Sequence, residues 1–275
     1  MKKIALIFST CLAMLSCSTE DNKEFSGNPL TDSDLVLATT KTGFSDEMDI
    51  NYANDIANNY DSYSSRTSNN SLTTCASVTI DNANPGEFPK TITVDFGNEC
   101  NINGIVRSGT LTITLTDYVT NFGSQMTIVR GNNYYINGYK LEGTIVYENT
   151  TTNSNIPSWD RDLIGGKMTT PAGNVYTYTD SRSVQLIAGA STPTLTDNTY
   201  KAISGTRTVN RPNNTTLTST ILTPLIKSHN CAYISEGSLD LQGTFLDGVL
   251  DYGNGNCDNQ ATYTHVTGQV FNITL

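Results

Sequence analysis

Residues Thr110-Leu111-Thr112-Ile113-Thr114-Leu115-Thr116 alternate threonine with apolar side chains, so a strand built from them has one dry face and one wet one. The same period of two recurs from about residue 74 to the C-terminus and predicts about a dozen strands. Turn signals punctuate it at Asn137-Gly138, Pro171-Ala172-Gly173-Asn174, Pro212-Asn213-Asn214 and Thr267-Gly268. Asn137-Gly138, set between Tyr134-Tyr135-Ile136 and Tyr139-Lys140-Leu141, is the strongest hairpin signal. One segment has a different period: Met48, Tyr52, Ile56 and Tyr60 recur every four residues beside Ala53 and Ala57. With Ser45 as cap and Asp46 and Glu47 at the positive end, this predicts a helix over 45–61.

The expected class is therefore all-β, an antiparallel meander with one N-terminal helix. Parallel strands need crossover segments that this pattern does not supply. So many strands do not stay flat, and a curved, partly barrel-like sheet with the helix on its concave apolar face is the expected geometry. A two-sheet β-sandwich is the alternative. The expected organisation is a signal segment at 1–16, a flexible tether at 17–44, and one β-rich domain at 45–275.

The N-terminus reads as an export signal. Met1-Lys2-Lys3 is cationic and the apolar stretch 4–15 is too short to span a membrane. Met14-Leu15-Ser16-Cys17 is similar to a bacterial lipobox, in which Cys17 takes lipid and becomes the mature N-terminus. The acid-rich run Ser18-Thr19-Glu20-Asp21-Asn22-Lys23-Glu24 is similar to tags that carry lipoproteins to the outer face of the outer membrane.

Cys11 leaves with the signal and Cys17 carries lipid, so Cys75, Cys100, Cys231 and Cys257 remain. Four cysteines allow three pairings, and the chain context separates them. Segments 75–100 and 231–257 each begin Cys-Ala, carry two strand patterns, and end in Asp-aromatic-Gly-Asn shortly before the second cysteine. Each is a hairpin whose ends meet, which favours Cys75–Cys100 and Cys231–Cys257 and raises the possibility of two related halves.

Composition narrows the function classes. The chain has 16 Lys+Arg against 26 Asp+Glu, a formal charge of -10, and removing 1–16 takes two lysines and no acid. Such a surface does not suit nucleic acid, and it makes lipid rather than a basic patch the membrane attachment. Two histidines, His229 and His265, cannot build a three-histidine metal site. There is no nucleophile elbow, zinc-protease motif, phosphate loop or dinucleotide fingerprint, and no cofactor is implied.

Lys90-Thr91-Ile92-Thr93-Val94-Asp95-Phe96-Gly97-Asn98-Glu99-Cys100, Arg107-Ser108-Gly109, Leu141-Glu142-Gly143-Thr144 and Leu250-Asp251-Tyr252-Gly253-Asn254-Gly255-Asn256-Cys257-Asp258-Asn259 give the chain a family likeness over most of 45–275. It resembles a family of β-rich Bacteroidetes lipoproteins with no assigned activity. The resemblance implies a fold and an envelope location, and no catalytic residues. Glu99 departs from it, standing where the family has glycine before the cysteine.

Three constellations remain. Asp251, Asn254, Asn256 and Asp258 are oxygen donors of the kind calcium prefers, but the same residue types serve a tight turn, and the EF-hand spacing is missing. Tyr134, Tyr135, Tyr147, Trp159, Tyr176 and Tyr178 are the candidate ligand-binding aromatics, because such faces stack on sugar rings; strand packing is their plain alternative. Carboxylate pairs such as Asp160 with Asp162 or Glu236 with Asp240 could serve a glycosidase, although Asp160-Arg161-Asp162 reads more simply as a solvated loop. The leading expectation is a lipid-anchored, non-catalytic surface module that binds a glycan or another envelope component. The alternatives are a carrier that shelters a hydrophobic ligand in a curved sheet and, behind it, a glycoside hydrolase.

Overall fold

The computed structural model describes residues 33–64, 75–82, 84–192, 194–244 and 246–275. They form one helix, α1 (Ser33–Ser64), and sixteen strands of one antiparallel sheet. The strands are β1 (Ser77–Ile80), β2 (Lys90–Asp95), β3 (Cys100–Ile102), β4 (Ile105–Ser108), β5 (Thr110–Leu115), β6 (Gln125–Arg130), β7 (Tyr135–Ile136) and β8 (Tyr139–Asn149). They continue as β9 (Ser158–Thr169), β10 (Val175–Ala188), β11 (Thr199–Asn210), β12 (Thr216–Ser228), β13 (Glu236–Gly243), β14 (Asp247–Asn254), β15 (Gln260–His265) and β16 (Val270–Thr274). The hydrogen-bonded order is β1-β2-β5-β6-β8, then β9 to β16 in sequence, with β3, β4 and β7 as a side ladder. Apart from the pairs β2–β5, β6–β8 and β4–β7, neighbours in space are neighbours in the chain, so short turns suffice as connections there.

The alternating pattern dictates the face. In β5, Leu111, Ile113 and Leu115 are buried and the threonines between them are half-buried. Register aligns Ile92, Ile113, Ile128, Ile145 and Leu163 as successive cross-strand partners on β2, β5, β6, β8 and β9, all buried. Each such side chain contributes roughly 1.5–3 kcal/mol by leaving water. Asn137 and Gly138 take φ of 49° and 82°, the turn that joins β7 to β8 with Ile136 opposite Tyr139.

The sheet ends at β1 and β16 and is not closed into a barrel. A sandwich is also ruled out. All sixteen strands are hydrogen-bonded into one sheet, and the long strands β11 and β12 stay paired on both sides of the register shift between Ala202 and Thr206.

The helix begins at Ser33, twelve residues before the expected start, so 33–44 is not tether. Ser45 is no cap. It lies inside α1, where its Oγ donates to the Lys41 carbonyl at 2.9 Å, as Thr42 Oγ1 does to Ala38 at 2.8 Å. Buried hydroxyls satisfied in this way let a threonine-rich segment stay helical. Between 34 and 59 the less buried positions form a narrow stripe, with Leu37, Lys41, Phe44, Glu47, Asn51, Asp55 and Asn58 along it. A helix buried on nearly every side shows no amphipathic period, which is why its first turns escape sequence reading. Arg107 on β4, Arg130 on β6, Arg161 on β9 and Arg207 on β11 all bond to α1, so the sheet curls around the helix.

Cys75 pairs with Cys100 and Cys231 with Cys257, at Cα–Cα separations of 5.3 and 5.7 Å. Each bridge encloses a hairpin, β1–β2 in one case and β13–β14 in the other. The parallel between the halves stops there, since β3–β4 leaves the main order whereas β15–β16 completes it. The expected signal, Cys17 and residues 17–32 of the expected tether lie outside the described residues.

Candidate functional site

Register brings charge onto the inner face. Tyr147, Arg161 and Arg182 are successive cross-strand partners on β8, β9 and β10, and Asp180 on β10 faces Arg207 on β11. Within each strand the arginine is in phase with the buried apolar residues, as in Trp159, Arg161 and Leu163. Two guanidiniums directly opposed repel unless acids lie between them. Asp180 supplies one: its Oδ2 accepts from Arg161 Nη2 at 3.1 Å, and its Oδ1 from Arg182 Nε at 3.0 Å and Arg207 Nε at 3.2 Å.

The helix supplies the other three. Asp46 accepts from Arg130 Nη2 and Arg207 Nη2, both at 2.7 Å. Asp49 accepts from Arg130 Nε at 2.8 Å and from the Tyr134 hydroxyl at 2.5 Å. Glu47 accepts from Arg161 Nη1 at 2.7 Å. The layer is completed by Arg107, which donates to the Met48 carbonyl at 2.9 Å, and by Tyr178, whose hydroxyl accepts from Arg130 Nη1 at 2.7 Å. Asp46 and Glu47 are thus mid-helix ion-pair partners, not helix-start residues.

Burial would raise the Asp180 carboxyl, but Arg182, Arg207 and Arg161 outweigh it and hold the group well below the usual carboxylate range. Glu47 is likewise held low against burial by Arg161, Lys227 and Arg182. Burial, only partly offset by Glu47, draws Lys227 on β12 down to about 8. Burial and Asp49 push the Tyr134 hydroxyl well up. These groups are locked to one another and shielded from water. Their chemistry is to hold α1 inside the sheet, and a buried pair of this kind is worth more in its breaking than in its making.

A pocket lies beside this layer, and of its rings Tyr147 and Trp159 are buried while Tyr200 is half-buried. It has a volume of 290 Å³ and is bounded by Tyr147, Trp159, Tyr200 and Leu186 from the sheet, by Asn54 and Asn58 from α1, and by the loop that carries Asn198. Tyr147 and Trp159 stack with centroids 5.7 Å apart and planes 10° apart, and Tyr200 meets Trp159 edge-on at 6.3 Å. The indole Nε1 donates to the Val119 carbonyl at 3.2 Å, which fixes the ring. Asn198 Nδ2 donates to the Tyr200 hydroxyl at 2.9 Å, while its buried Oδ1 has no partner among the described residues.

Of the six aromatics singled out, the structure therefore brings together Tyr147 and Trp159. Tyr134 and Tyr178 enter the charged layer. Tyr176 donates to Asp34 Oδ2 at 2.8 Å, beside the Asp34–Arg211 ion pair, and Tyr135 is half-buried in β7. Asp251 and Asp258 accept from the Gly253 and Gln260 amides at 2.7 and 2.9 Å, which is turn chemistry, and Asn254 and Asn256 follow along the same exposed stretch. Among the described residues no three His, Cys, Asp or Glu side chains gather as a metal site.

Arg161 is not in a solvated loop. Asp160-Arg161-Asp162 is strand β9 with the two acids turned outward and the arginine inward. The missed residues are this arginine with Arg130, Arg182, Arg207, Asp180 and Tyr200. Their one sequence signal is phase, since each arginine is spaced by two from buried apolar neighbours. A second cleft, on β11 to β14, is lined by Lys201, Glu236 and Asp251. Burial keeps a catalytic acid protonated, and both carboxylates there are exposed. No protein-family model, curated protein or solved structure matches this chain.

Proposed function

We propose that this chain is a lipid-anchored binding module of the outer face of the bacterial cell envelope, and that it holds a saccharide in the Tyr147–Trp159–Tyr200 pocket without transforming it. The observation that carries this reading is the pocket itself: three aromatic rings held rigid by stacking and by the indole hydrogen bond, with amide and hydroxyl groups around the rim. Sugar recognition asks for that mixture, an apolar face to stack on and polar groups to fix orientation. A carrier of acyl chains is less well supported, because α1 occupies the interior and the cavities of 30 and 10 Å³ beside it have room only for a water or two.

Trp159 is the sole tryptophan, so its emission reads this pocket alone. Titration with a panel of neutral and acidic mono- and oligosaccharides is expected to give a saturable change for at least one class. Trp159→Phe should weaken calorimetric binding of that class about tenfold, near 1.4 kcal/mol, in line with the loss of one aromatic contact. A panel that leaves the emission of the folded protein unmoved overturns the reading. For the anchor, metabolic labelling with a fatty-acid analogue should mark the wild-type protein and not Cys17→Ala; a label that persists in the variant removes the lipobox from the argument.

A further inference from the structure

Among the described residues, the buried charge in the layer around α1 does not balance. Arg107, Arg130, Arg161, Arg182, Arg207 and Lys227 stand against Asp46, Glu47, Asp49 and Asp180, and every member apart from the partly exposed Glu47 is buried. The surplus collects at one place. Arg161, Arg182 and Lys227 line a 30 Å³ cavity between α1 and the sheet, and Glu47 is the one carboxylate on its wall. Glu47 is already committed to Arg161, and Asp180 behind it is shared by three guanidiniums. Among the described residues, Arg161 Nε is buried with no hydrogen-bond partner, and the acceptors of Lys227 Nζ are two neutral backbone carbonyls, of Ser228 and Cys231.

An uncompensated cation in such surroundings is costly, and an orphaned donor adds to the cost. A bound anion relieves both. Asn54, Tyr147 and Tyr200 wall this inner cavity and the aromatic pocket alike, so the two adjoin across those three side chains. The inner volume suits two oxygen atoms and not a second ring.

Resting on the saccharide-binding reading, we infer that the ligand is an acidic sugar, its ring in the aromatic pocket and its carboxylate in the inner cavity among Arg161, Arg182 and Lys227. Arg161 Nε donates to one carboxylate oxygen, and the unpartnered Asn198 Oδ1 accepts from a ring hydroxyl. No covalent step is involved.

Calorimetry on the wild-type protein with matched pairs tests this: glucuronate against glucose, galacturonate against galactose, mannuronate against mannose, and each uronate against its neutral methyl ester. At least one uronate is expected to bind tenfold or more tighter than both its parent sugar and its ester. Lys227→Met, which keeps the length of the side chain and drops its charge, should bring that uronate to within about threefold of its parent. Equal affinity for a uronate and its parent overturns the inference and leaves the pocket reading intact. Binding of neither removes both. Should sodium chloride alone occupy the cavity, read as thermal stabilisation lost in Lys227→Met while no sugar binds, the inference also fails, because the cations then serve a lone ion. If Lys227→Met does not fold, the ester comparison on the wild-type protein decides.

Discussion

Asp180→Asn is expected to lower the stability of the protein by about 3–5 kcal/mol, the range for breaking a buried ion pair by removing one partner. The asparagine has nearly the same shape, so the loss is electrostatic. It leaves Arg161, Arg182 and Arg207 facing one another around a neutral amide, with only Asp46 and Glu47 to share among them. The measurement is the urea midpoint at neutral pH, and a loss below about 1 kcal/mol would show that the layer is wet enough to screen its charges. The same carboxylate shapes the acid limb. Its folded pKa lies below the unfolded one, so its contribution is complete above about pH 4 and is lost as pH falls through and below that value. Wild-type stability should therefore decline steeply below pH 4, and Asp180→Asn, which has nothing to protonate there, should decline less steeply.

The second large effect concerns the bridge that encloses β13 and β14. Replacing Cys231 and Cys257 together by serine is expected to cost about 3.5 kcal/mol, the chain-entropy value for a separation of 26 residues. The hairpin needs the help because β14 is followed by only two further strands before the open edge. Non-reducing peptide mapping should return 75 with 100 and 231 with 257 in the wild-type protein. A urea midpoint that does not move in the double variant would mean that the bridge adds nothing to a hairpin already held by β12 and β15.

Strands, turns and staples were legible in the chain because they are decided locally. Alternation in 110–116 names the buried face of β5 before any partner is known, and Asn137-Gly138 accepts the positive φ that joins β7 to β8. The cysteine pairs could be read from their flanking residues because each bridge closes a single hairpin. The aromatic pocket was half legible: Tyr147 and Trp159 were candidates as residue types, but Tyr200, about forty positions farther along, joins them only through the order of β8 to β11.

The charged layer was not legible, and the reason is distance along the chain. Asp46 meets Arg130 and Arg207 across sequence separations of 84 and 161 residues, so no local pattern announces the pair. An arginine in a strand, taken alone, reads as solvent-facing, because an unpaired buried charge is too expensive. The early turns of α1 were hidden for a related reason. Period marks a helix only when one face is wet, and here the sheet covers almost all of it. The sequence by itself determined the class, the antiparallel meander, the hairpins and their staples, since these follow from side-chain alternation and turn chemistry over a few residues. The tertiary structure alone decided that one sheet curls around one helix, that buried cations outnumber buried acids around that helix among the described residues, and that their surplus lies beside an aromatic pocket. Those outcomes depend on which distant groups reach each other out of water, where the strength of a charge is set by its surroundings rather than by its neighbours in the chain.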